Sequence, residues 1–292
     1  MGIRSLQKFE YLEPMVLERA VQMLSTHGPE AKILNGGIDL VPRLRRHEIA
    51  PKYIVSIQRI QSLDYLEDEG YQGFRIGALT RLCSLEFSPT VQKEYVALYE
   101  ALYQIRSIQV KTMGTAVGNL CVATPASDIA ASLIALGAKL KISSAGSERI
   151  ILLEDFFVGV HQTVLRPGEI VTEVWLPRPP TKTGSAFLKL VRTAVDIAKV
   201  NVAVMITLTN ETCQEAKIVL GSVAPTVVRA RRAESILKGR KLEAEVILTA
   251  AEAAAQEIKP ITDIRSTADY RKEATRILVR QTIEKALGRA KA

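Results

Sequence analysis

The sequence predicts an α+β protein in two parts, residues 1–177 and 178–292. Three observations carry this reading. The amino-terminal stretch alternates helical and strand patterns around a Gly-Gly turn. Pro177, Pro179 and Pro180 crowd one short segment, where neither a helix nor a sheet ladder continues. Beyond them, β-rich segments give way to a long helical tail. A chain of 292 residues holds roughly two domains at ~150 residues each. Its 47% hydrophobic content supplies the apolar surface that such cores bury.

The first part divides into subdomains over about 1–57 and 58–177. A helix starts near Pro14, a residue suited to the first helical position, and sets Leu17, Ala20, Val21 and Leu24 on one face. After His27-Gly28-Pro29, Ala31–Leu34 reads as a short buried strand. Asn35-Gly36-Gly37 turns the chain into a helix over Ile38–Arg46, and Lys52–Ile57 is a second strand. This order favours parallel pairing. The second subdomain has a strand at Phe74–Ala78 and a helix over Pro89–Gln104, with Val96, Tyr99, Leu102 and Tyr103 at core spacing. Thr124-Pro125 starts an Ala-rich helix that Gly137 ends, and strands follow at Lys139–Ser143, Arg149–Leu153 and Glu169–Leu176. The last part reads as three antiparallel strands, Ala186–Arg192, Ala198–Thr209 and Ala216–Val223, then a helical bundle of Val227–Lys238, Ala244–Glu257 and Tyr270–Leu287.

Composition removes several functions. Cys83, Cys121 and Cys213 are far apart, with no C-x-x-C, which argues against a zinc site or an iron–sulfur cluster held by this chain. His27, His47 and His161 are equally scattered, so no metal ligand is assigned. No apolar run approaches the ~20 residues of a membrane span. The start, Met1-Gly2-Ile3-Arg4-Ser5-Leu6, shows no secretory leader and fails the myristoylation pattern, so a cytoplasmic chain is expected. From Arg229 onward, 15 Lys and Arg stand against 9 Asp and Glu, which places most of the net +8 charge there. These charges interleave with Ala, Leu and Glu at helical spacing beside one aromatic, Tyr270. That pattern is a solvated helix face or a partner-docking surface, not a nucleic-acid site. No nucleophile–base pair or paired-carboxylate site is visible, so no side chain is assigned a catalytic role.

Two loops point to an organic cofactor. Asn35-Gly36-Gly37-Ile38-Asp39 follows a strand and opens a helix, where converging backbone N–H groups favour an anion. Met113-Gly114-Thr115-Ala116-Val117-Gly118-Asn119-Leu120-Cys121 places two glycines, a hydroxyl and an amide within six residues. It leads to Thr124, read as an N-cap, Pro125 as the first helical residue, and Asp128 in the first turn. Two phosphate-competent loops fit a long diphosphate such as FAD better than a mononucleotide.

These residues carry a family likeness. Ile33–Leu40 resembles the first FAD loop of the FAD-binding (medium) subunits of molybdenum hydroxylases of the aerobic carbon monoxide dehydrogenase and xanthine dehydrogenase type. Gly114–Cys121 followed by Pro125 and Asp128 resembles their second. Thr163–Ile170, Asp196–Val200 and Gly221–Thr226 are similar to three further hallmarks, in order along nearly the whole chain. Two positions depart: Ile38 stands where Thr is usual, and Val117 replaces the first of two adjacent glycines.

The resemblance implies a vanillyl-alcohol-oxidase-like (PCMH-type) FAD-binding domain of two subdomains, then a family C-terminal domain. It implies FAD in this chain, two [2Fe–2S] clusters in a small partner subunit and molybdopterin in a large one, in a heterotrimer that dimerises. Three scattered cysteines exclude the subgroup with its own [4Fe–4S] cluster. By the same likeness, Lys32, Ile33, Leu34, Asn35, Gly36, Gly37, Ile38, Asp39 and Leu40 cradle the pyrophosphate from one side. Gly114, Thr115, Val117, Gly118 and Asn119 cradle it from the other. Asp128 accepts from ribose- or ribityl-side hydroxyls, Ile105 lies at the ring edge, Ile170 and Val171 line the isoalloxazine, and Lys189 sits beside it. The implied function is electron transfer through FAD to an external acceptor. A stand-alone flavin oxidase and a flavin-free assembly subunit are the alternatives.

Overall fold

The strands sort into sheets by chain order in a computed structural model that describes residues 6–292. Met1–Ser5, and with them the leader and Gly2 readings, lie outside the described residues. The first unit is β1 (Glu10–Leu12), α1 (Leu17–His27), β2 (Ala31–Leu34), α2 (Leu40–Arg45) and β3 (Tyr53–Ser56). All pairing is parallel in the order β1-β3-β2, as the helix–strand alternation predicts. The three-residue β1 was not foreseen, being too short to show a period. Helix α1 begins at Leu17, so Pro14 lies before it and not at its first position.

The second unit runs through β4 (Leu66–Asp68), β5 (Phe74–Gly77), α3 (Leu82–Phe87), α4 (Pro89–Glu94), α5 (Val96–Gln104), α6 (Ile108–Met113), α7 (Ala116–Val122) and α8 (Asp128–Ala135). It continues with β6 (Lys139–Ser144), β7 (Ser147–Leu152), the small ribbon β8 (Phe157–Gly159) and β9 (Gln162–Thr163), then β10 (Ile170–Leu176). Its sheet order is β4-β5-β10-β6-β7. The single helix predicted over Pro89–Gln104 is two, broken at Tyr95, whose backbone leaves the helical region (φ −118, ψ 54) while its ring is fully buried. The break rotates α5, so Ala97, Leu98, Ala101 and Leu102 face the core and Tyr103 is exposed.

After Pro177–Pro180 come β11 (Thr183–Leu190), β12 (Val200–Thr209), β13 (Thr212–Gly221), the two-residue β14 (Val228–Arg229), and helices α9 (Arg231–Leu237), α10 (Ala244–Gln256) and α11 (Ala268–Lys291). The three long strands are antiparallel as expected, with β14 as an unforeseen fourth. Period-two alternation decides what this sheet faces. Val200, Val202, Val204 and Ile206 join the core under α10 and α11, whereas Phe187 and Ala203 join the core of the second unit. Lys189 and Asn201 therefore point the same way as Phe187 and Ala203, toward α5 and α8.

Glu100 on α5 clamps the two cores. Its carboxylate meets Arg289 Nη2 (2.6 Å) and Lys285 Nζ (2.7 Å) of α11, and accepts from the Phe187 N–H (2.8 Å). Burial pushes this carboxyl up, but the bonds from Arg289, Lys285 and the Phe187 N–H outweigh it and hold it below its ordinary range. A depressed carboxyl stabilises the fold above its unfolded value, ~4.3, and loses that contribution as pH falls through its folded value. Urea unfolding of Glu100→Gln at pH 7 is expected to show a loss of about 1–3 kcal/mol. Between pH 4 and 3 the variant should lose less stability than the parent chain; parallel pH profiles would refute the assignment.

Candidate functional site

Both predicted loops lie against each other. Asn35 Nδ2 donates to Ala78 O (2.8 Å), and Gln58 Nε2 donates to Asn35 O (2.6 Å), which pins the turn after β2. Gly36 then passes so close to the α6–α7 junction that a Cβ on it would lie 2.0 Å from Met113 O. Gly37 has φ +75, the left-handed region that glycine supplies at no steric cost. A cleft of about 270 Å³ opens here, lined by Asn35, Gly36, Gln58, Gln61, Asp64, Leu79, Arg81, Met113 and Thr115. A larger cleft, about 530 Å³, lies between α1 and the β6–β7 turn and contains none of the expected site residues.

The second segment is not a loop throughout. Thr115 is the N-cap of α7, its Oγ1 accepting from the Gly118 N–H (2.9 Å), so Val117, Gly118 and Asn119 are helical. A Cβ on Gly118 would meet Thr115 Oγ1 at 2.9 Å and the Asn35 amide at 3.9 Å, so this turn also abuts the first loop. Asn119 Oδ1 accepts from the Ser127 hydroxyl, which commits it to structure. Val117 is buried in the core, so its methyl groups stand away from the cleft.

Helix α8 starts at Asp128 with Ser127 as N-cap, accepting from the Ala130 N–H (2.9 Å); this corrects the assignment of Thr124 and Pro125 to those positions. Ser127 wins because its hydroxyl bridges two helices, donating to Asn119 while capping α8. Asp128, in the first turn, is 7% exposed. Its Oδ2 pairs with Lys189 Nζ (2.7 Å) and its Oδ1 accepts from Asn201 Nδ2 (2.7 Å). Lys189 and Asn201 are opposite partners across β11 and β12. Gly221, the partner of Asn201 on β13, gives the amide room: a Cβ there would lie 2.2 Å from Asn201 Oδ1. Burial raises the Asp128 carboxyl above its ordinary range, opposed by the Lys189 charge and by hydrogen bonds from Lys189 and Asn201.

Other expected residues are more dispersed. Lys32 is exposed on β2, Ile33 and Leu34 are half-buried, and Ile38 is 40% exposed. Asp39 turns to Arg43 (3.4 Å), and Leu40 begins α2. Gly114 accepts at its carbonyl from the Leu82 N–H (2.9 Å). Ile105 ends α5 and packs on the core. Ile170 and Val171 are each 2% exposed within the core and line neither cleft. Sequence reasoning missed Asn201 and the cleft-lining Gln58, Gln61, Asp64 and Arg81. Asn201 had a signal, an amide alone in the apolar run Val200–Leu208; the others had none.

Residues 7–179 match the family model of the FAD-binding domain in molybdopterin dehydrogenase, and 185–286 match that of the CO dehydrogenase flavoprotein C-terminal domain. The chain belongs to the molybdopterin-dehydrogenase flavoprotein family. Within it, the chain is 34% identical to the 6-hydroxypseudooxynicotine dehydrogenase complex subunit alpha of Paenarthrobacter nicotinovorans, covering 97% of this chain and 96% of that one. It is 31% identical to the carbon monoxide dehydrogenase medium chain of Afipia carboxidovorans over 97% and 98% of the two chains. Among solved structures, carbon monoxide dehydrogenase from Hydrogenophaga pseudoflava superposes with a TM-score of 0.94 at 32% identity, over 98% of this chain and 99% of that one.

The residues present fit the cofactor of this family. The cleft is smaller than the ~300–1,000 Å³ that whole ligands occupy, so it has room for a segment of a dinucleotide and not for all of one. Its walls include the backbone of Asn35-Gly36, the start of α7 at Thr115 and the Arg81 guanidinium, a donor set suited to a diphosphate, with the Asp64 carboxylate as the opposing charge.

Proposed function

We propose that this chain is the FAD-carrying electron-transfer subunit of a molybdopterin-dependent dehydrogenase, with residues 1–177 as the cofactor-binding domain and 178–292 as the second domain. The single observation that carries the reading is the cleft in which the two glycine-bearing segments meet, Asn35-Gly36 from one side and Thr115 from the other. Asn35, Gly36, Gly37 and Thr115 hold the pyrophosphate with backbone N–H groups and one hydroxyl, while Gly114, its N–H spent on Val110 O (2.7 Å), keeps the α6–α7 junction tight beside Gly36. Gly118 keeps the α7 turn close enough for both segments to share a ligand. Lys189, held by Asp128, sets a fixed cation toward the flavin, while Ile105, Ile170 and Val171 form the apolar ground behind it. The chemistry that FAD supplies when bound is electron transfer, from [2Fe–2S] clusters of a partner subunit to an external acceptor.

The partners are a small iron–sulfur subunit and a large molybdopterin subunit, in a dimer of heterotrimers in the cytoplasm. Among the described residues no helix is long and apolar enough to cross a membrane. The complex purified through this chain is expected to absorb near roughly 450 nm, as oxidised flavins do, and to release FAD on acid precipitation. An intact complex without flavin would overturn the proposal in favour of an assembly subunit. Substrate oxidation by the lone chain at the rate of the complex would overturn it in favour of an oxidase.

A further inference from the structure

Helix α11 carries Arg271 in its first turn, and this arginine is only 3% exposed. A guanidinium buried this deeply needs partners for its N–H groups, and here both terminal nitrogens have them while Nε has none. Nη1 donates to Lys199 O and to Ser222 O, each at 2.8 Å, and Nη2 donates to Asp263 Oδ1 at 2.7 Å. The two carbonyls come from different strands. Lys199 immediately precedes β12 and Ser222 immediately follows β13, so one planar group ties two adjacent strand ends together. Asn201 and its partner Gly221 sit at that same end. Ser222 itself has φ +64, a left-handed backbone unusual without glycine, and its N–H donates to Pro125 O (2.7 Å), three residues before Asp128. From Arg271, then, one route runs through Ser222 to Pro125 and the start of α8. The other runs through Lys199 to Asn201, so the first holds the backbone just before Asp128 and the second reaches its carboxylate.

We propose that Arg271 is a positioning residue for the cofactor site, fixing the Asp128–Lys189–Asn201 constellation by bridging the Lys199 and Ser222 carbonyls. The inference rests on the reading of Asp128 and Lys189 as neighbours of the flavin. An apolar side chain would pack α11 on the sheet at lower desolvation cost, so packing alone does not call for a guanidinium here. Lysine, with a compact ammonium, lacks the planar fork that reaches two carbonyls and a carboxylate at once. Asp263 completes the device by holding the far edge of the fork. Arg289, also on α11, serves as an internal control, because its bonds to Glu100 and Ser185 O hold the helix without touching the Asp128 constellation.

The test uses the intact complex purified through this chain, stripped of flavin and titrated with FAD. Arg271→Lys is expected to keep the far-ultraviolet circular dichroism of the parent, to weaken FAD about tenfold or more, the worth of a lost charge-assisted hydrogen bond, and to shift the bound-flavin absorption band. Arg289→Lys should lower the melting temperature and leave both flavin readouts unchanged. Parent affinity and parent spectrum in Arg271→Lys, with only the melting temperature lowered, would overturn the proposal. Should Arg271→Lys not fold, Asp263→Ala is read instead, since it keeps the guanidinium and removes the acceptor of its Nη2 edge. A measurable weakening of FAD there supports the proposal, and unchanged affinity overturns it. Parent complex that takes up no FAD overturns the cofactor reading itself, and this inference with it.

Discussion

Asp128→Ala is expected to lower the stability of the chain by about 3–5 kcal/mol, the cost of leaving one partner of a buried ion pair alone. Lys189 would be that partner, its side chain 6% exposed and 2.7 Å from the lost carboxylate. Asn201 Nδ2 would lose its acceptor in the same step. The double variant Asp128→Leu with Lys189→Met removes both charges and fills similar volume, an exchange that is often neutral. Only the Asn201 amide then remains unsatisfied, a residual cost of about 1–3 kcal/mol. Urea unfolding should show this partial recovery. Flavin content should stay low, because the lysine proposed to face the cofactor is gone. A double variant with parent flavin content and spectrum would show that the pair serves folding alone. A double variant no more stable than Asp128→Ala would show that the single loss is not electrostatic.

How much of this site was readable beforehand follows the range of the interactions. The strand Ala31–Leu34 and the Gly-Gly turn after it were legible because a short apolar run and two glycines are local signals. The sheet of the last part was legible for the same reason, its strands being long enough to show a period. Asp128 was visible as a first-turn carboxylate, but its role, and Lys189 altogether, came by family likeness only. Their ion pair spans 61 positions and depends on how the third sheet packs under α8, which no local pattern encodes. Asn201 went unnoticed although it stands alone among apolar neighbours, since its meaning comes from Gly221 on the next strand and Asp128 on another unit. The wrong N-cap has a similar cause. Thr124-Pro125 and Ser127-Asp128 are both good helix starts by composition, and a contact with Asn119 on the preceding helix decides between them. The break at Tyr95 is a tertiary override, where burying a ring outweighs continuing a helix that the sequence supports.

Gly36→Val is expected to abolish FAD uptake, and here the cause is backbone against backbone. The added Cβ would sit 2.0 Å from Met113 O, with Met113 C at 3.0 Å and the Gly114 Cα at 3.1 Å. None of these atoms belongs to a side chain that can rotate away, so the first loop and the α6–α7 junction must part. Overpacking of this kind costs about 1–3 kcal/mol or somewhat more, well within the ~5–15 kcal/mol of an ordinary fold. The chain should therefore stay folded while the cleft between Asn35-Gly36 and Thr115 changes shape. Gly288→Ala supplies the contrast, since a Cβ there meets nothing within 4 Å inside α11. That substitution should stabilise the helix by about 0.5–1 kcal/mol and leave flavin content untouched. Equal flavin content in both variants would mean that the contact of Gly36 with Met113 holds the two segments together without shaping the cofactor site.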